Sequence, residues 1–176
     1  MPLLMSDSSQ QSQDRSLFTL AQIQHLIRVE FHRAQRYGYP LSCLMVGVDR
    51  LNQLRDLYGY DSKEAVIEEV IEILKRETRA SDFLGRLADD RLLVVVPHTS
   101  LEGAQRMVDR LLTAARQLEF ESEGRKMDVS LSAGIGSTRG GDDVLFFDAL
   151  LEAAENGLQV AQAAGGNRGE TGVIGG

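Results

Sequence analysis

Apolar positions along this chain keep two periods by turns, one helical and one of strand length. Leu20, Ile23, Ile27, Phe31 and Ala34 fall on one face of a helix. Thr19 stands where an N-cap belongs. Gly38 can adopt the left-handed conformation that stops this helix, and Pro40 cannot extend it. The run LSCLMVGV at 41–48 then predicts an apolar strand. A short helix over 50–57 and the turn Tyr58-Gly59-Tyr60 lead to a long helix, capped by Asp61 or Ser62 and ending near Thr78. In that helix Val66, Ile67, Val70, Ile71, Ile73 and Leu74 form a stripe, while Glu68, Glu69, Glu72 and Arg76 face water. Glu72 and Arg76 also have the i,i+4 order that supports a helix.

The next segment predicts a β-hairpin: a strand over 81–87, the turn Ala88-Asp89-Asp90, and a strand over 91–96 whose continuous apolar run reads as covered on both faces. Ser100 caps another long helix, with Ala104, Met107, Val108, Leu111, Leu112 and Ala115 inward. Residues 119–128 are polar, with Gly124 as a turn. A strand is expected over 127–136 (MDVSLSAGIG), with residues small enough to admit a close neighbour. The last helix is expected over 143–163, with Phe147, Leu150, Leu151, Ala154, Leu158 and Ala161 inward. Residues 1–16, with SDSSQQSQ at their centre, read as a flexible arm, and the chain beyond Gly165 as a loose Gly-rich tail.

The order β, α, β, β, α, β with flanking helices predicts an α+β domain, a mostly antiparallel sheet carrying helices. A chain of 176 residues suits one such domain. The net charge of −7 argues against nonspecific nucleic-acid binding, which rests on neutralising phosphates. No apolar run approaches the roughly 18 residues of a membrane span, and no basic-then-apolar segment opens the chain as a secretory signal would. The single Cys43, in an apolar strand, is expected to be a buried, inert thiol, which suits a reducing cytoplasm. His25, His32 and His98 lack metal-ligand spacing, and no metal or other cofactor is expected.

The hairpin resembles the signature hairpin of the GGDEF family, the diguanylate cyclases that join two GTP molecules into cyclic di-GMP. The family turn reads Gly-Gly-Asp/Glu-Glu-Phe. Here Ala88-Asp89-Asp90-Arg91-Leu92 stand in those places, and only Asp90 matches. The family's product-binding, inhibitory Arg-x-x-Asp motif is unchanged as Arg79-Ala80-Ser81-Asp82. The strand that usually ends Asp-x-Asp ends Gly47-Val48-Asp49, and the strand at 127–136 resembles the family's Val-Ser-x-Gly strand. The resemblance implies the palm-like fold of nucleotidyl cyclases over residues 17–168, a central, mostly antiparallel sheet of about five strands flanked by helices. Residues 1–16 and 169–176 are left as flexible ends.

The same resemblance implies lost chemistry. Joining two GTP molecules needs divalent metal ions held by carboxylates. The family's metal carboxylate on the first strand corresponds to Gly47, and the second acid of the turn to Arg91. The second turn glycine is Asp89, which adds a Cβ and a charge where family members admit a polyphosphate. The Lys and Arg that hold the triphosphate correspond to Gln162 and Gly166. The Asn that reads guanine corresponds to Arg55, and its acidic partner survives as Glu64. The expectation is a protein that is not an enzyme, with Asp49, Asp90 and Glu64 as surface or turn carboxylates.

The motif that remains is the product site. An arginine fork can bond guanine O6 and N7 together, and a carboxylate can accept from N1–H and N2–H. The resemblance adds Arg110, on the following helix, to Arg79 and Asp82, and gives Arg33, on the first helix, to a secondary site formed by a neighbouring molecule. The expected function is a cyclic di-GMP receptor that passes the signal to a protein partner not identifiable from the sequence, with a ligand-linked homodimer. No sensory or output domain is recognised, so the output is expected in that partner or in oligomerisation. The alternative is an interaction or dimerisation domain that binds no nucleotide. In it Arg79 and Asp82 form a surface ion pair worth little to stability.

Overall fold

The computed structural model describes residues 17–140 and 146–174. The arm expected at 1–16, the start of the last helix at 143–145 and the end of the tail at 175–176 lie outside them. The elements run α1 (Leu20–Tyr37), β1 (Leu41–Val48), α2 (Leu51–Tyr58), α3 (Tyr60–Glu77), β2 (Phe83–Arg86), β3 (Leu92–Pro97), α4 (Leu101–Arg116), β4 (Phe120–Ser122), β5 (Arg125–Met127), β6 (Leu131–Thr138), α5 (Phe147–Ala163) and β7 (Gly169–Thr171). The five-stranded sheet has the order β2-β3-β1-β6-β7, and β4 and β5 form a separate ribbon. β1 pairs antiparallel with both β3 and β6, and β7 adds parallel to β6. The fold is therefore the expected α+β one, a mostly antiparallel sheet flanked by helices.

Every residue of β1 is buried, because the strand is central and helices cover both sheet faces. Leu44, Val46 and Val48 join the core under α3 and α4, while Leu41, Cys43 and Met45 join the core under α1 and α5. A two-sided strand has no polar positions to alternate, which explains its unbroken apolar run. Burial pushes the Cys43 thiol up to about 12, so the buried, unreactive thiol expected there is what the strand contains. Among the described residues no helix is long and apolar enough to cross a membrane.

Local signals set most boundaries. Thr19 accepts from the Gln22 N–H and Gln22 returns the bond to the Thr19 N–H, a complete capping box. Ser100 caps α4 through the Gly103 N–H. The start of α3 differs from expectation. The chain turns on Gly59 alone, at φ 94°, so the helix begins at Tyr60 ahead of both polar candidates. Asp61 sits instead in the first turn, where its charge complements the helix dipole. The strand expected over 127–136 is divided. Glu123 and Gly124 turn at positive φ and fold Met127 back against Phe120 in the ribbon, and β6 starts only at Leu131.

The loose tail is the clearest correction. Gly169–Thr171 is β7, and it covers the edge of β6: the Ala133 N–H donates to the Arg168 carbonyl and the Gly172 N–H to the Ile135 carbonyl. The glycines here serve close packing. A Cβ on Gly172 would overlap the Ala153 carbonyl oxygen, and one on Gly169 would press on Val108. The same constraint joins α5 to β6, where the small residues do admit a close neighbour. A Cβ on Gly134 would overlap the Ala154 carbonyl oxygen, and one on Gly136 the Leu150 carbonyl oxygen.

The β2–β3 hairpin is held to α3 by charge. Asp90 turns at φ 68°, and the Leu87 N–H donates to the Arg91 carbonyl across the turn at 2.8 Å. The Asp90 carboxylate accepts from Lys63 Nζ at 2.9 Å and from Arg86 Nη2 at 2.6 Å. Arg86 Nη2 also donates to Glu64 at 2.8 Å, and Lys63 lies 3.3 Å from the same oxygen. Asp90 is the turn carboxylate expected from the sequence, but Glu64 is not a free surface acid, and neither stands unpaired. They are the anions of a four-membered network in which each side chain is less than a third exposed. Burial alone would raise Asp90, but its bonds to Lys63 and Arg86 outweigh it and hold the carboxyl below its ordinary value. The Arg86 bond is the main cause that depresses Glu64.

Two outcomes follow from this packing. Gly134→Ala is expected to destabilise the fold by about 3 kcal/mol or more, because backbone rather than a side chain must give way. Denaturant unfolding measures it, and near-wild-type stability would refute the close approach. Asp90→Asn keeps a residue type that tolerates the left-handed turn but removes the charge, at about 1–3 kcal/mol at neutral pH. A carboxylate depressed in the folded state contributes stability that is present above its unfolded value and lost as pH falls through the lower folded one. The gap between wild type and Asp90→Asn should therefore close in acid, and a gap that persists there would show that the network's charge is not its source.

Candidate functional site

The Arg-x-x-Asp segment is the loop that leaves α3. Thr78 ends the helix with its hydroxyl on the Leu74 carbonyl at 2.6 Å, and the chain turns so that the Asp82 N–H reaches the Arg79 carbonyl at 3.0 Å. Asp82 Oδ2 accepts the Arg79 backbone N–H at 2.8 Å, so the motif folds on itself. The Arg79 guanidinium donates through Nη2 to the Pro97 carbonyl at 3.1 Å and to Thr99 Oγ1 at 2.7 Å. Its Nε lies 3.8 Å from Asp82 Oδ2. The two side chains differ in exposure, 57% for Arg79 and 1% for Asp82. Both were expected at the surface. Asp82 is instead tucked beneath the loop, because it must face back to receive the Arg79 N–H.

Asp82 Oδ1 is buried and has no hydrogen-bond partner among the described residues. Burial pushes this carboxyl above its ordinary value, against the lowering effect of the Arg79 N–H bond and the Arg79 charge. Arg110, on α4, donates through Nε to Glu77 at 3.2 Å. It thus reaches the end of α3 just ahead of Arg79. Arg33 lies on α1, on the other face of the sheet, and pairs with Glu30 at 3.7 Å. The structure therefore joins Arg79 to Asp82, brings Arg110 to the helix end that precedes them, and leaves Arg33 apart. Pro97 and Thr99, which hold the Arg79 guanidinium, were missed by sequence reasoning. The register of the β2–β3 hairpin, Phe83 against Val95, brings the end of β3 beside this loop, and that register was not assigned from the sequence.

The other end of the sheet carries the positions that the resemblance leads us to expect at a nucleotide site. A Cβ at Gly47 would lie 3.1 Å from Gln162 Nε2. Asp49, expected as a surface or turn carboxylate, lies in the turn after β1 and is a partly buried tie. It accepts from Ser130 Oγ and Ser132 Oγ at 2.6 Å each and from the Asn167 N–H at 2.8 Å. Arg91 donates to Asp89 at 2.6 Å and lies 3.6 Å from Glu155 on α5. Among the described residues Arg55 pairs only with its neighbour Asp56, at 3.5 Å. A cleft of ≈ 370 Å³ opens between Gly47, Arg50, Asp89, Arg91 and Gln162. The residues here do not fit a divalent metal ion: Asp49 has three donors, Asp90 two cations, and Asp89 faces Arg91. Among the described residues no three His, Cys, Asp or Glu side chains converge as a metal set would.

Comparison with known proteins gives the geometry a family. The family model for "Diguanylate cyclase, GGDEF domain" matches residues 16–168. The chain is 27% identical to the diguanylate cyclase DgcP of Pseudomonas aeruginosa over 148 residues, which are 84% of this chain and 22% of that protein. It is 31% identical to the response regulator PleD of Caulobacter vibrioides over 137 residues, 77% of this chain and 30% of that protein. The crystal structure of the diguanylate cyclase SiaD with its activator SiaC, from Pseudomonas aeruginosa, superposes with a TM-score of 0.78 at 26% identity, covering 86% of this chain and 57% of that one. The chain spans less than a third of the length of the two curated relatives. With the hairpin, the sheet order and the match in agreement over almost the whole described chain, the protein belongs to the GGDEF domain family.

Proposed function

We propose that this GGDEF domain is a non-catalytic, cytoplasmic receptor for cyclic di-GMP, read at Arg79 and Asp82. The observation that carries the proposal is the buried Asp82 Oδ1, which lacks a donor beside a largely exposed guanidinium. A buried acceptor left unpaired is costly, and a ligand that supplies guanine N1–H and N2–H would remove that cost. Arg79 has further N–H groups for O6 and N7 of the same base, and Arg110 a half-exposed guanidinium for a phosphate or a second guanine. Because Oδ1 is covered, the ligand has to open the loop to reach it. Arg33 serves from a second molecule, which makes binding favour a dimer, and the signal passes to a protein partner.

Loss of the cyclase reaction is part of the same reading. The turn acid that survives is neutralised by Lys63 and Arg86, and the surviving acid on α3 by Arg86. The position of the first-strand acid holds Gly47, and no cation stands at Gln162 or Gly166 to hold a triphosphate. The interaction-domain reading has one observation in its favour: Arg79 already bonds Pro97 and Thr99 without any ligand.

Calorimetric titration of the purified chain separates these readings. Cyclic di-GMP should bind, and Arg79→Ala should weaken it roughly 5- to 150-fold, the worth of one arginine–guanine fork. No heat at ligand well above micromolar concentration sinks the receptor and leaves the interaction domain. Asp82 must be ionised to accept guanine donors, and its folded value is raised. Affinity should therefore fall on acidification sooner than for an ordinary aspartate, and the Asp82→Asn variant should show no such dependence. With GTP and Mg²⁺ or Mn²⁺ no cyclic di-GMP should form. Steady product formation that Asp90→Ala abolishes would overturn the non-catalytic reading.

A further inference from the structure

A separate cleft of ≈ 490 Å³ lies between the end of α4, the β4–β5 ribbon, the start of α2 and the loop before β7. Its lining includes Arg50, Arg116, Lys126, Glu119, Asp128 and Asn167. None of these belongs to the Arg-x-x-Asp loop. Only Arg50 also faces the cleft at Gly47.

The cleft is built from a fixed floor and unengaged walls. Ser130 and the Asn167 N–H both bond Asp49, which anchors the floor. Asn167 Oδ1 accepts Arg116 Nε at 2.8 Å, which orients that guanidinium and leaves its two terminal nitrogens unbonded. Among the described residues the side chains of Arg50, Lys126, Glu119 and Asp128 make no hydrogen bond and no ion pair, although all four line the same cleft. Left-handed backbone also falls at this place. Of the five non-glycine residues at positive φ among the described ones, Arg50 (54°) and Asn167 (55°) both line it. Arg50 precedes α2, and its carbonyl accepts the Leu54 N–H at 3.0 Å, while its side chain makes no capping bond and is left to the cleft.

We propose that this cleft binds a phosphomonoester of about mononucleotide size. The phosphate lies against Arg50, Arg116 and Lys126, and the donor-bearing body turns toward Glu119 and Asp128. Three cations match a compact dianion. The two carboxylates reject an extended polyanion such as a nucleic-acid strand, and the net charge of −7 rejects it further. They accept instead from the hydroxyl or amino groups of a sugar or base.

The intact protein is titrated with adenosine 5′-monophosphate, and with adenosine as the neutral control. The nucleotide is expected to bind and adenosine is not. Lys126→Ala and Arg50→Gly, the latter free to keep the positive φ, should each weaken binding about 5-fold, and added salt should weaken it as well. Arg79→Ala should leave it unchanged, which keeps this test independent of the cyclic di-GMP reading. The proposal is overturned by no binding at millimolar nucleotide, by equal binding of adenosine, by full affinity in the correctly folded double variant Lys126→Ala/Arg50→Gly, or by loss of binding in Arg79→Ala.

Discussion

Burial of β1 on both faces and both edges is the constraint on which the rest of this molecule depends. Its neighbours β3 and β6 take its backbone groups, and its side chains feed the two cores alternately. A strand so enclosed leaves no freedom to the elements around it. β6 must be lined with small residues if α5 is to lie close above it, and the hairpin that carries β3 must begin where α3 delivers it. The Arg-x-x-Asp loop and the cleft at Gly47 are then fixed at opposite ends of the same sheet.

The hairpin turn illustrates how a carboxylate can be engaged by charges of its own chain. Asp90 keeps the tight turn and a carboxylate, but the charges that meet it come from within the chain, Lys63 and Arg86. Glu64 completes the set through Arg86. Such a network gains from being partly shielded, since each charge keeps a partner and none faces a low-dielectric interior alone. On the proposed reading, the interaction that once had to wait for a ligand is made permanently by the protein.

Elements with one dominant periodicity were legible in the sequence. α1, with its capping box and its terminal glycine, and the apolar stripes of α3 and α4 follow directly from spacing. What stayed hidden depended on partners distant in sequence. Nothing local shows that Gly169–Thr171 pairs with β6, because the glycines that suggest looseness are selected by contact with Val108 and Ala153. The exposure of Arg79 was foreseeable, and the burial of Asp82 was not, since it arises from a bond back to the Arg79 N–H. Asp49 resembled a surface acid until Ser130, Ser132 and Asn167 were brought to it from the far half of the chain.

β7 also bears on aggregation. The family match stops at residue 168, yet the strand that covers β6 begins at Gly169. A domain cut at the family boundary would leave the N–H and C=O groups of β6 open along an apolar strand, a ready template for pairing with another copy. β7 therefore closes that part of the β6 edge to such pairing. Gly169 lets it pass Val108 of α4, and Gly172 just after it lies against Ala153 of α5, where a Cβ would overlap the backbone.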